Sequence, residues 1–146
     1  MDGRVDQHFP AAVNGRIGRP GDVDSFSFSG RAGQVVVADV MARRLSSPLD
    51  AALRLVDADG TVVAFNDDSK DPEMGLLTHH ADPALQAELP RDGRYRVCLW
   101  DAQRQGGEPY AYRLRLRTPR PDFALRLTPS CVNVRPGQAV TLTVHA

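Results

Sequence analysis

The stretch "PYAYRLRLRT", residues 109–118, decides the fold. Tyr110, Tyr112, Leu114 and Leu116 alternate with Arg113, Arg115 and Arg117. A period of two puts each set on its own face of a β-strand, the tyrosines and leucines toward a core and the arginines toward water.

The same period runs outward along the chain. In "DSFSFSG", 24–30, Phe26 and Phe28 share one face and Ser25, Ser27 and Ser29 the other. After the turn "SGRAG", "QVVVADVMARRL" (34–45) is a longer β-rich stretch. "AALRLVDADGTVVAFND" (51–67) reads as a hairpin, with Leu53 and Leu55 alternating on its first arm and Val63 and Phe65 on its second. "DADG" forms the turn, with Gly60 at positive φ. "LPRDGRYRVCLWD" (89–101) adds a turn and a strand that carries Tyr95, Val97 and Leu99 on one face. The best helical candidate, "DPALQAEL" (82–89), is short and lacks caps. Seven or eight strands separated by Gly, Pro and Asp turns predict an all-β protein, an antiparallel β-sandwich of jelly-roll type.

Two prolines in "RTPRPD" (117–122) interrupt this pattern as a linker does. Beyond them Phe123, Leu125, Leu127, Val132, Val134, Val140, Leu142 and Val144 resume the alternation. The expected organisation is a disordered or non-native N-terminus over 1–9, a sandwich over 10–118, and a linker with the opening strands of a truncated second β-domain over 119–146. The competing reading extends the first sandwich into the tail.

Composition narrows the function classes. The chain of 146 residues is 42% hydrophobic with formal net charge zero, which speaks against electrostatic capture of nucleic acid. No apolar run approaches the length of a membrane span. The N-terminus has no apolar signal core, so a signal would lie upstream or the protein would be cytosolic. Two cysteines, Cys98 and Cys131, make neither a disulfide framework nor a zinc site, and the two are expected to stay unpaired.

Catalysis finds little support. The histidines are His8, His79, His80 and His145, and no serine sits in a G-x-S-x-G elbow. Adjacent His79 and His80 would point to opposite faces of a strand. "GRIGRPGD" (15–22) has neither the phosphate-loop nor the dinucleotide spacing and reads as turns. Arg113, Arg115 and Arg117, continued by Arg94 and Arg96 on a neighbouring strand, would make either a polyanion-binding stripe or a solvated face with acidic partners opposite.

"AFNDDSKD" (64–71) carries the strongest site signal. Asp outnumbers Glu 15 to 3, and Lys70 is the only lysine. A tight "DADG" turn would pair residue i with about 117 minus i, so that Asp50 comes opposite Asp67. Asp50, Asp67 and Asp68 would then gather at one hairpin end, with Asp71 next to them and Asp82 returning after the loop. Uncompensated carboxylates and an Asn suit calcium, which takes six to eight oxygens in irregular loops. These five aspartates, with a carbonyl from Asn66, are the expected calcium ligands. The competing reading is a polar loop closed by Asx turns. An EF-hand is excluded, because Gly60 at its sixth position would put Leu55 at the first and Asn66 at the twelfth. A paired-carboxylate glycan hydrolase is the enzymatic alternative, but Trp100 alone supplies no sugar cleft.

With these words assembled, the chain resembles the bacterial pre-peptidase C-terminal (PPC) domain. The matching words are "NGRI", "GDVDSFSF", Gly33, "ARRLSSPLD", Leu53 and Leu55 before "DADG", then "NDD", "LPRDGRY", "GG" and "YAYRLRL". They follow the family's order over about residues 10–118. The tail resembles the opening strands of an immunoglobulin-like domain. The resemblance implies a jelly-roll sandwich, secreted or on the cell envelope, that is non-catalytic and accessory to a larger protein. Neighbouring domains of the same polypeptide, with an extracellular protein or glycan ligand, are the implied partners, and calcium the implied cofactor. The sequence departs from the family after "NDD", where the long loop "SKDPEMGLLTHHADP" (69–83) intervenes and Asp82 would take the place of the family's next Asp.

Overall fold

The computed structural model describes residues 5–6, 10–68, 82–119, 126–128 and 132–145. Its strands are β1 (Val5–Asp6), β2 (Ala11–Arg16), β3 (Val23–Gly30), β4 (Val35–Met41), β5 (Ala51–Asp57), β6 (Val62–Asn66), β7 (Ala84–Glu88), β8 (Gly93–Asp101), β9 (Ala111–Arg117), β10 (Arg126–Thr128) and β11 (Thr143–His145). One 3-10 turn, Arg43–Leu45, follows β4.

The pairing is a nested ribbon. β2 pairs with β9, β3 with β8, β4 with β7 and β5 with β6, all antiparallel. The ribbon rolls up because β9 also pairs with β4, and β8 with β5. Two sheets result, in the orders β1-β3-β8-β5-β6 and β2-β9-β4-β7. Ignoring β1, this is the jelly roll, with first strand beside last in one sheet and second beside second-to-last in the other. β1, inside the segment 1–9, adds two residues in parallel to β3. β10 and β11 form a separate two-stranded sheet.

Alternation sets the core. Phe26, Phe28, Tyr95, Val97, Leu99, Leu53 and Leu55 enter it from the first sheet, and Val36, Ala38, Val40, Leu85, Tyr112, Leu114 and Leu116 from the second. Ile17, Leu49 and Leu89 close its ends. Removing each large side chain from water is worth roughly 1.5–3 kcal/mol, so the two facing rows are the main cohesive term. Phe28 and Tyr95, on neighbouring strands, stack with centroids 5.7 Å apart.

The weak helical candidate over 82–89 is instead strand β7, with Leu85 inward and Gln86 outward. Its five residues complete the ladder on β4, and that tertiary pairing outweighs its Ala, Gln and Glu content.

The β5–β6 register also differs from expectation, for two reasons that add. The Asp57 amide bonds the Thr61 carbonyl at 3.0 Å, so the loop holds three residues, ending in Gly60 at φ +84. A bulge between Leu55 and Val56 then makes Val63 an extra residue. Past the bulge Leu55 faces Ala64, Arg54 faces Phe65 and Leu53 faces Asn66, a two-residue slip from the expected pairing. Val63 still packs on the core. Phe65, expected to share a face with Val63, points to the outer face and is 52% exposed.

Candidate functional site

The expected calcium ligands do not share one environment. Asp82 is buried and spends both oxygens on the 3-10 turn. Oδ1 accepts from the amides of Ala42 and Arg43 at 3.1 and 2.8 Å. Oδ2 accepts from the Arg44 amide at 3.1 Å and from Arg44 Nε at 3.0 Å. The turn has no side-chain cap of its own, so Asp82 supplies one from 40 residues away. Asp50 lies beside the end of β8, where Gln103 Nε2 donates to its Oδ2 at 3.1 Å. The slipped register removes Asp67 from the position opposite it. Asp67 and Asp68 are exposed just past β6, and Asp71 lies outside the described residues. Asn66 faces inward with Oδ1 buried and without a hydrogen-bond partner among the described residues. No three His, Cys, Asp or Glu side chains among the described residues converge to hold a metal.

Other carboxylates close turns and join strands. Asp57 Oδ1 accepts from the amides of Asp59 and Thr61 at 3.0 and 2.9 Å, the Asx geometry that fixes the "DADG" turn. Arg91 reaches over from "LPRDGRY" to Asp57 Oδ2 at 2.6 Å and also to Asp59. Burial pushes the Asp57 carboxyl up, but Arg91 and the Thr61 and Asp59 amides outweigh it and hold the group below the usual carboxylate range. Tyr95 Oη donates to the Arg91 carbonyl at 2.7 Å. Buried Asp101 accepts from the Asp50 amide at 2.9 Å and the Gln105 amide at 2.7 Å. Two of the words that carry the family resemblance are thus halves of one clamp.

The arginine faces separate. Arg113, Arg115 and Arg117 lie outward on β9 of the second sheet, whereas Arg94 and Arg96 lie outward on β8 of the first. They form no common stripe, because β8 and β9, consecutive in sequence, belong to opposite layers. Asp39, directly opposite Arg115 on β4, accepts from its Nε at 2.7 Å, and Arg117 Nε lies 3.8 Å away. This is the solvated face with acidic partners.

The outer face of the first sheet holds a cluster that the expected alternation of Val63 with Phe65 concealed. Across it run the rows Val23–Trp100–Ala52, Ser25–Cys98–Arg54–Phe65 and Ser27–Arg96–Val56–Val62. Phe65 stacks on Trp100 with centroids 6.0 Å apart and planes at 28°, and the Arg54 guanidinium lies 5.3 Å from the Trp100 ring centre. Cys98 is buried beneath them as a free thiol that accepts from Ser25 Oγ at 3.7 Å; Cys131 is outside the described residues. The usable signal was the outward place of Trp100 beside Arg94 and Arg96. Only the bulge brings Phe65 to the same side.

No family model matches the chain. Over 80 residues, 54% of this chain, it is 42% identical to a probable subtilase-type serine protease of Deinococcus radiodurans, of whose length the match spans 10%. Among solved structures, the pre-peptidase C-terminal domain of a Bacillus anthracis collagenase superposes with TM-score 0.58 at 9% identity, over 80% of this chain and 97% of that one. A periplasmic inhibitor of g-type lysozyme from Aeromonas hydrophila superposes with TM-score 0.56 at 16% identity, over 78% and 94%. At such identities the likeness is one of fold. The fold defines a jelly-roll sandwich module, and the chain has the fold of the pre-peptidase C-terminal domain, as its sequence words imply.

Proposed function

We propose that this chain is a non-catalytic accessory module of a larger secreted or cell-envelope protein, where it binds or spaces for its neighbouring domains. The observation that carries this reading is the employment of the buried carboxylates. Asp39, Asp57, Asp82 and Asp101 each hold backbone amides or arginines that close the fold. A glycan hydrolase needs two carboxyl groups converging on one bond across a cleft. The cavity of about 320 Å³ between β3, β8 and the "DADG" turn presents Asp57, which Arg91 clamps. The one of about 190 Å³ beside Trp100 presents Asp22 and Asp101, which accept the amides of Gly18 and of Asp50 and Gln105. The 42% match within a protease-type protein and the fold shared with a collagenase domain support a role beside a catalytic domain. A likeness to a serine protease over a tenth of its length supplies no protease chemistry to this segment.

The test is turnover. The purified chain is incubated with casein, gelatin and a glycan panel, with calcium or zinc added, and no hydrolysis is expected. Activity that survives repurification and disappears on Asp67→Asn or Asp68→Asn overturns the reading.

A further inference from the structure

We propose that the outer face of the β3–β8–β5–β6 sheet binds an anionic polysaccharide, laid along β8 with a sugar ring against Trp100 and its acid groups on arginines. The inference rests on the accessory-module reading and names its ligand class.

Three observations on one face carry it. The first is the aromatic surface. Trp100 is half-buried and Phe65 and Val62 are each 52% exposed, an apolar area on a flat sheet flanked by polar groups rather than covered by them. The Arg54 guanidinium lies over the indole, 5.3 Å from its ring centre, so charge and aromatic surface meet at one place. An indole ring suits the C–H face of a pyranose, and a guanidinium beside it suits a carboxylate or sulfate.

The second is charge without carboxylate partners. Arg54, Arg96 and Arg104 make no ion pair with a carboxylate among the described residues, in contrast to Arg44, Arg91, Arg115 and Arg117 on other surfaces. An otherwise neutral chain therefore presents local positive charge on the face that also carries its tryptophan. That charge complements an acidic polymer.

The third is the arrangement of concavities. A pocket of about 190 Å³ at one end of β8 is lined by Gly21, Asp22, Val23, Arg54, Trp100, Asp101 and Arg104; its two carboxylates accept backbone amides, Asp22 from Gly18 and Asp101 from Asp50 and Gln105. The cavity near Tyr95 at the other end is lined by Ser27, Arg94 and Arg96, with Asp57, held by Arg91, at its turn side. Four residues of strand separate Arg96 from Trp100, roughly 13 Å at ~3.3 Å per residue, so one ligand filling both ends must be extended. Arg104 also holds φ +57, a left-handed conformation that is uncommon for a non-glycine residue. The turn fixes it there, with the Gly21 amide on its carbonyl and its own amide on the Asp101 carbonyl. The serine stripe of β3 supplies Ser25 and Ser27 hydroxyls alongside.

The experiment titrates the whole chain with polygalacturonate and with heparin, following Trp100 fluorescence, the only tryptophan signal, and calorimetric heat. A neutral glucan, polyglutamate and single-stranded DNA serve as comparisons. Saturable binding of polygalacturonate or heparin, weakened by salt, is expected. Trp100→Ala should weaken binding at least about tenfold, as truncation of a central aromatic anchor does. Because that variant removes packing, Arg96→Gln and Arg54→Gln provide the second arm. Each should reduce the slope of log affinity against log salt by up to about one. Equal affinity for polyglutamate or DNA would reduce the face to nonspecific charge and overturn the proposal, as would no binding of either polysaccharide. Loss of binding with no hydrolysis leaves the module reading intact, whereas binding followed by cleavage overturns that reading and keeps the site.

Discussion

The Tyr112 hydroxyl, on β9 of one sheet, donates to the Asp24 carboxylate on β3 of the other. The ring reaches there because Gly15, its partner on β2, has no side chain; a Cβ at that position would overlap the phenol. Three words of the sequence, "NGRI", "GDVDSFSF" and "YAYRLRL", therefore meet at one inter-sheet bond. Burial raises the Asp24 carboxyl above its ordinary value, the Tyr112 bond offsets part of that rise, and Asp22 adds to it. Burial, then Asp24, pushes the Tyr112 hydroxyl up, so it stays a donor.

Tyr112→Phe should accordingly destabilise the sandwich by about 1–3 kcal/mol near pH 7, where Asp24 is left charged and without its donor. The sign of the pH dependence follows from a raised carboxyl. The folded state binds the proton more tightly than the unfolded one, so ionising Asp24 costs stability as pH rises through its folded value. That cost disappears below the unfolded value. Urea unfolding should show the Phe variant's penalty shrinking from about pH 7 to about pH 4. A pH-independent penalty would mean that only packing was lost.

Asp57 should behave in the opposite direction. Its folded pKa is lowered, so its stabilisation is present above the unfolded value and is lost as pH falls through the folded one. Arg91→Met removes the cation but leaves the turn amides, and the lowering becomes smaller. Acid unfolding of this variant, followed by far-UV circular dichroism, should begin at higher pH than in the parent. Coincident acid limbs would show that Arg91 does not hold the turn.

Asp82→Ala should cost roughly 2–4 kcal/mol, because three turn amides and the partly exposed Arg44 lose a buried acceptor. The drop in melting midpoint should be the same in calcium and in chelator, since the oxygens serve the 3-10 turn. Asp67→Asn with Asp68→Asn, at exposed positions, should stay within about 0.5 kcal/mol in chelator. A penalty for Asp82→Ala that appears only with calcium would restore Asp82 to the ligand set.

Much of this was legible in the sequence because a half-buried strand writes its face into alternate residues. Phe26 and Phe28, Tyr95 to Leu99, and Tyr112 to Leu116 all point where their periodicity places them. Register is a different kind of information. The three-residue loop and the bulge at Val63 each shift the β5–β6 pairing by one position, and nothing in an alternating pattern marks an extra residue. The slipped pairing is why Asp50 lost its expected neighbour, and the extra residue at Val63 is why Phe65 does not share Val63's face. The bonds of Asp82 were hidden for another reason: the amides it serves, at Ala42, Arg43 and Arg44, advertise nothing in their side chains.

The tail offers a last test. β10 and β11 pair with each other in a sheet separate from the sandwich, through Arg126 with His145 and Thr128 with Thr143. Val132, Val134, Val140, Leu142 and Val144 are all exposed, whereas the sandwich core is filled by side chains from Ile17 to Leu116. A two-stranded sheet contributes little stability of its own. Deleting residues 119–146 should therefore lower the melting midpoint of the sandwich by less than about 10 °C, the shift that a loss of roughly 2–3 kcal/mol would give in a domain of this size. Thermal unfolding followed by circular dichroism measures it directly. A larger drop, or loss of a cooperative transition, would make the tail part of the first core and remove the boundary near Pro119.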